Sequence, residues 1–128
     1  MRHDLLADTF CIIKNTEEIG RHVCVTPASK IIEGVLKVMQ RHNYIGNFEL
    51  IEDGKGGKFK VHLFGRINSC GVTRPRFSLG KHEFTKWEKK FLPAENVGIL
   101  ILTTSKGVMD QKEAASKNTG GKLLGYVF

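Results

Sequence analysis

The residues of this chain best equipped for chemistry are Thr103-Thr104-Ser105-Lys106-Gly107, which follow four consecutive aliphatics, Ile99 to Leu102. The hydroxyls can each donate and accept, the ammonium can meet an anion, and the glycine lets a partner's backbone or sugar edge come close. Similar groups gather at Ser29-Lys30 and at Thr119-Gly120-Gly121-Lys122, while Arg66, Arg74 and Arg76 offer guanidiniums suited to phosphate. Such an inventory suits a surface that reads the backbone and shape of a polyanion. An ordinary strand-to-helix loop would also collect Ser, Thr and Gly, so the weight must come from the rest of the chain.

Catalytic chemistry finds less support. Asp53-Gly54-Lys55-Gly56-Gly57-Lys58-Phe59 and Gly120-Gly121-Lys122-Leu123 are glycine-rich, yet both place an apolar residue where a phosphate loop needs the magnesium-binding Ser or Thr. Cys11, Cys24 and Cys70 are odd in number and form no Cys-x-x-Cys pair, so neither a disulfide framework nor a zinc site is expected. None sits in a context that depresses a thiol pKa. The carboxylate pairs Glu17-Glu18 and Glu52-Asp53 are sequence neighbours, whose side chains diverge. No enzyme, cofactor or metal is expected, although a small Cys/His enzyme stays open as a rival reading.

Charge points the same way as the polar clusters. Of the 20 Lys and Arg, 10 lie between residues 54 and 93 against only 2 Asp and Glu, so the net charge of +7 is carried by the middle third. A one-sided basic field suits nucleic acid or an anionic membrane surface. Aromatics make up only 9% of the chain, and no aromatic-rich strand of the single-strand-binding kind is present, which favours structured RNA. No apolar run approaches the roughly 18 residues that span a bilayer. With acidic residues where a signal peptide needs an apolar core, the chain is expected to be soluble and cytosolic.

The elements that must position these groups can be read from spacing. Asp4 can cap a helix running to Gly20, and Ser29 can cap another over Lys30 to His42, whose Ile31, Ile32, Val35, Leu36 and Met39 share a face. Between them Val23 to Thr26 is strand-like. Ile45 to Glu52 and Lys58 to Leu63 predict a hairpin around the turn at residues 53–57. The cluster of turn formers from Gly65 to Gly71 marks a boundary, giving an expected α-β-α-β-β domain over 1–64 and a β-rich RNA-binding domain over 65–128. In the latter, Val72 to Leu79 predicts an edge strand broken by Pro75, Glu83 to Phe91 a helix, and Val97 to Thr103 a central strand. Asp110-Gln111-Lys112-Glu113 has the spacing of a capping box opening a helix to Lys117, and Leu123 to Phe128 a buried final strand. The fold class is α+β, two small α/β domains in one compact chain.

Pro27-Ala28-Ser29-Lys30, Asn43-Tyr44-Ile45-Gly46, Gly65-Arg66-Ile67, Arg74-Pro75-Arg76-Phe77, Thr104-Ser105-Lys106-Gly107-Val108-Met109, Glu113-Ala114 and Gly120-Gly121 together resemble the universal small-subunit ribosomal protein eight family, archaeal and eukaryotic branch. The resemblance runs from about Asp4 to Phe128. It implies two α/β domains, binding to a central-domain helix of small-subunit ribosomal RNA, support for its assembly, and neighbouring ribosomal proteins as further partners. There would be no small-molecule substrate and no membrane. It also implies that the Thr-Ser-Lys-Gly loop docks in the RNA minor groove beside the Gly-Gly turn. On that basis RNA contact is expected at Thr104, Ser105, Lys106, Gly107, Gly120 and Gly121, and in the first domain at Asn15, Ser29 and Lys30; Lys122 is expected to join them as the cation of the polar cluster at 119–122. Arg66, Arg74 and Arg76 rest on charge. Ala115-Ser116 replaces a commonly basic pair, which weighs against phosphate contacts along the helix after Asp110. A free-standing RNA-binding regulator is the other alternative.

Overall fold

The computed structural model describes residues 5–52, 57–73, 78–80, 84–93 and 97–128, and the chain divides into two units, Met1–Asn68 and Ser69–Phe128. The expected cap Asp4, most of the turn at 53–57, and Pro75 lie outside the described residues.

In the first unit the order is α1 (Leu5–Glu18), β1 (Val23–Pro27), α2 (Lys30–Arg41), β2 (Ile45–Ile51) and β3 (Lys58–Leu63). Helix α1 buries Leu6, Phe10 and Ile13 at helical spacing, and its buried Thr9 and Thr16 donate their hydroxyls back to the carbonyls of Leu5 and Ile12. Gly20, at φ +75°, takes the left-handed turn that leads out of it. Helix α2 starts where Ser29 Oγ accepts the Ile32 amide at 3.2 Å, and it buries Ile32, Val35, Leu36, Val38 and Met39. The strands form an antiparallel sheet in the order β1-β3-β2, with α1 against β1 and α2 against β2. Val61 pairs with both Cys24 and Phe48, and one extra residue in β2 between Ile45 and Phe48 makes a bulge.

The second unit runs β4 (Cys70–Val72), β5 (Ser78–Leu79), α3 (Phe84–Phe91), β6 (Ile99–Thr104), β7 (Gly107–Asp110), α4 (Gln111–Ser116) and β8 (Gly121–Val127). Its antiparallel sheet has the order β4-β8-β6-β7, with β5 also on β8. Leu100, Leu102, Met109, Ala114 and Leu123 pack with Phe84 and Leu92 into the core, and Trp87, Phe91, Tyr126 and Phe128 stack in succession against it. Leu123 and Leu124 are both fully buried, as expected of a strand covered on each face.

Two expectations are corrected. Residues 107–110 are not part of a strand-to-helix loop: they form β7, antiparallel to β6, so the polar tip is a β-hairpin. The capping box is not formed either. Asp110 occupies the N-cap position of α4, but its side chain makes no cap hydrogen bond and is 4 % exposed. Glu113 turns to Lys117 instead, 3.2 Å away.

Candidate nucleic-acid interface

The hairpin tip is built from its strand outward. Ile99, Leu100, Ile101 and Leu102 are all buried, and β6 is laddered on one side to β7 and on the other to β8, so the end of this strand has little freedom. Thr104 pairs with Gly107, leaving Ser105 and Lys106 as a two-residue turn. The Thr104 hydroxyl clamps that turn. Its Oγ1 accepts the Lys106 amide at 3.1 Å and donates to the Gly107 carbonyl at 2.9 Å. Its proton is therefore committed within the hairpin, whereas Ser105, Lys106 and Gly107 are exposed and the Ser105 hydroxyl has no partner among the described residues. Gly107 sits at φ +116° with open space where a Cβ would be. Lys106 Nζ reaches the Lys117 carbonyl at 3.4 Å, which ties the turn to the end of α4.

The Gly-Gly turn comes to the same place through sheet pairing. Lys122 faces Thr103 across the β6-β8 ladder, and a Cβ on Gly121 would overlap the Thr103 carbonyl oxygen and lie 2.8 Å from Thr104 Cγ2. Gly121 is thus required by the close approach of two strands. Gly120 accepts from Thr119 Oγ1 at 3.3 Å, and Lys122 is exposed. The tip therefore gathers Thr104 to Gly107 with Gly120 to Lys122, residues separated by more than a dozen positions in sequence.

Asn15, Ser29, Lys30 and Arg66 belong to the first unit. Asn15 and Lys30 are exposed, one near the end of α1 and the other opening α2. The Ser29 oxygen serves as the α2 cap. Arg66 is exposed after β3 with its guanidinium 5.8 Å from the centre of the Phe64 ring. Arg74 and Arg76 lie outside the described residues. Sequence reasoning passed over Lys117 and Asn118, exposed at the end of α4 where Lys106 docks; Asn118 at φ +55° ends the helix in the left-handed region. An Asn directly after a helical pattern was the available signal.

Two of the three cysteines, Cys24 and Cys70, are withdrawn from nucleophilic work by burial, and Cys11 is exposed. Burial pushes the Cys24 thiol up to about 11, opposed by the Thr16 hydroxyl and reinforced by the Glu17 charge. A neutral, inaccessible thiol is inert. Cys70 is also buried.

Comparison with known proteins bears on what the hairpin meets. Residues 4–128 match the family model described as Ribosomal protein S8. A protein of Methanococcoides burtonii named small ribosomal subunit protein uS8 is 56% identical over 126 residues, which cover 98% of this chain and 97% of that one. Proteins of the same name from Caldivirga maquilingensis and Methanosphaerula palustris are 51% and 44% identical over 126 and 128 residues, with at least 97% of each relative covered.

Proposed function

The chain belongs to the ribosomal protein S8 family, and on that premise we propose that it is a structural constituent of the small subunit of the cytoplasmic ribosome. It acts there without catalysis, binding small-subunit ribosomal RNA and abutting neighbouring ribosomal proteins. The observation that carries the reading is the match over residues 4–128 to a family whose relatives are named small-subunit proteins. What supports the RNA contact is the exposed hairpin tip held at the end of a buried strand.

Within this reading the residues have distinct roles. Ser105 and the Gly107 backbone meet 2′-hydroxyls and sugar edges in a shallow RNA minor groove, where short polar groups suffice. Lys106 and Lys122 answer phosphates. Thr104, Gly120 and Gly121 shape the surface. On the first unit Asn15, Lys30 and Arg66 add contacts and Ser29 orients Lys30, while Arg74 and Arg76 contribute charge. The RNA is a central-domain helix whose folding the protein stabilises, and the second unit is the domain that reads its shape.

A titration of the whole protein against small-subunit RNA tests this. Binding that a central-domain helix competes away, and bulk duplex RNA does not, supports the reading; equal competition by both overturns it.

A further inference from the structure

On the first unit, an open cavity of about 430 Å³ lies where the end of α2 meets the bulge of β2 and the end of β3. Gln40, Asn43, Gly46, Asn47, His62 and Phe64 line it. Its walls have two parts. One is aromatic: Phe64 is 56 % exposed, its ring tip rests against Gly46, where a Cβ would lie 2.9 Å from Phe64 Cζ, and Arg66 stands over the ring. The other is a set of neutral groups that both donate and accept. Gln40 Nε2 donates to Asn47 Oδ1 at 3.3 Å, which leaves Gln40 Oε1 as an acceptor and Asn47 Nδ2 as a donor side by side. Among the described residues no carboxylate lines the cavity, and the exposed Arg66 guanidinium stands by its Phe64 wall.

A flat, edge-polar ligand attached to an anionic backbone fits those walls. Aromatic and guanidinium planes take the face of a base, and amide side chains take its edge. A peptide fits less well. It would join β2 as an added strand, but the bulge between Ile45 and Phe48 in the β2-β3 ladder bends that edge strand and breaks the even spacing an added strand needs. We propose that this cavity receives one unstacked nucleobase of the small-subunit RNA, stacked on Phe64 and Arg66 and read at its edge by Gln40 and Asn47. The inference rests on the RNA-binding reading above and assigns to the first unit a base-reading role separate from the shape-reading hairpin.

Ultraviolet cross-linking of the full chain bound to small-subunit RNA, followed by mass spectrometry, tests it. The expected result is a single nucleotide joined to Phe64 or to a residue beside it. Phe64→Ala should abolish that adduct and weaken binding by about 5-fold to 150-fold, the range for loss of one stacked base. Phe64→Trp should keep both, and Asn47→Ala should change which bases are tolerated. Phe64 is exposed enough for its replacement to leave the circular dichroism spectrum unchanged. If the wild-type protein binds the RNA and no adduct forms at this cavity, or Phe64→Ala binds as tightly as wild type, the inference falls and the RNA reading stands. An adduct from Phe64 to a neighbouring protein in reconstituted subunits also overturns it. If the wild-type protein shows no preference for small-subunit RNA, both fall.

Discussion

Replacing Thr104 by Val removes one hydroxyl and almost no volume, so it isolates the clamp on the hairpin turn. Two hydrogen bonds are lost, one at 3.1 Å to the Lys106 amide and one at 2.9 Å to the Gly107 carbonyl. Both lie at the exposed end of β6, where water can take over the freed groups, so the lower part of the usual net range applies and the pair is worth about 1 kcal/mol. For a chain of 128 residues that is a fall in Tm of about 3–5 °C. The loosened turn must also be ordered again on binding, and a cost of about 1.4 kcal/mol corresponds to tenfold weaker RNA affinity. Ser105→Ala is the control. Ser105 is exposed and supports nothing in the hairpin, so Tm should move by less than about 1 °C while affinity drops by about 3-fold to 10-fold. Calorimetry of each variant, paired with titration against small-subunit RNA, reads both effects. The reasoning is refuted if Thr104→Val matches wild type in Tm and affinity, or if Ser105→Ala lowers Tm as much as Thr104→Val does.

Other outcomes follow from the same geometry. Gly121→Ala should cost about 1–3 kcal/mol, because its Cβ would force β8 away from the Thr103 carbonyl; faster amide exchange along the β6-β8 ladder checks this. Leu100→Ala, at a fully buried position in the core of the second unit, should cost about 2–5 kcal/mol by urea denaturation. At pH 8 iodoacetamide should label exposed Cys11 and spare Cys24. Because folding raises the Cys24 pKa from 9.0 to about 11, the folded state holds its proton more tightly. Stability is then unaffected below pH 9 and falls between pH 9 and about 11 by at most about 3 kcal/mol, and Cys24→Ser removes that slope.

Much of the first unit was legible because its signals are local. Ser29 and an apolar stripe over one face of α2 announce a helix, and alternation in Lys58 to Leu63 announces a strand. The second unit was harder, since β8 defines several of its strands. β4 and β5 are three and two residues long and exist by pairing with β8, which lies some 50 residues downstream. β7 was hidden because Gly107 reads as a loop residue and only Val108 and Met109 are apolar, too short a run to show a period of two. The capping box failed because Asp110 is drawn into the interior, which spacing does not encode. At the tip the residue types were legible and their roles were not. Thr104 and Gly121 look like ligand contacts in sequence, and only the ladder reveals that one clamps a turn and the other admits a strand. The base-sized cavity around Phe64 escaped notice altogether, because its walls come from α2, β2 and the end of β3.

We propose that the hairpin tip reads the shape of one helix in small-subunit RNA. Chemical footprinting of that RNA, free and bound to wild-type or Ser105→Ala protein, tests it most directly. Sugar protections confined to a central-domain helix, and weakened at the same nucleotides by Ser105→Ala, are predicted. Protections scattered over unrelated duplexes, or unchanged by Ser105→Ala at saturating protein, would contradict it.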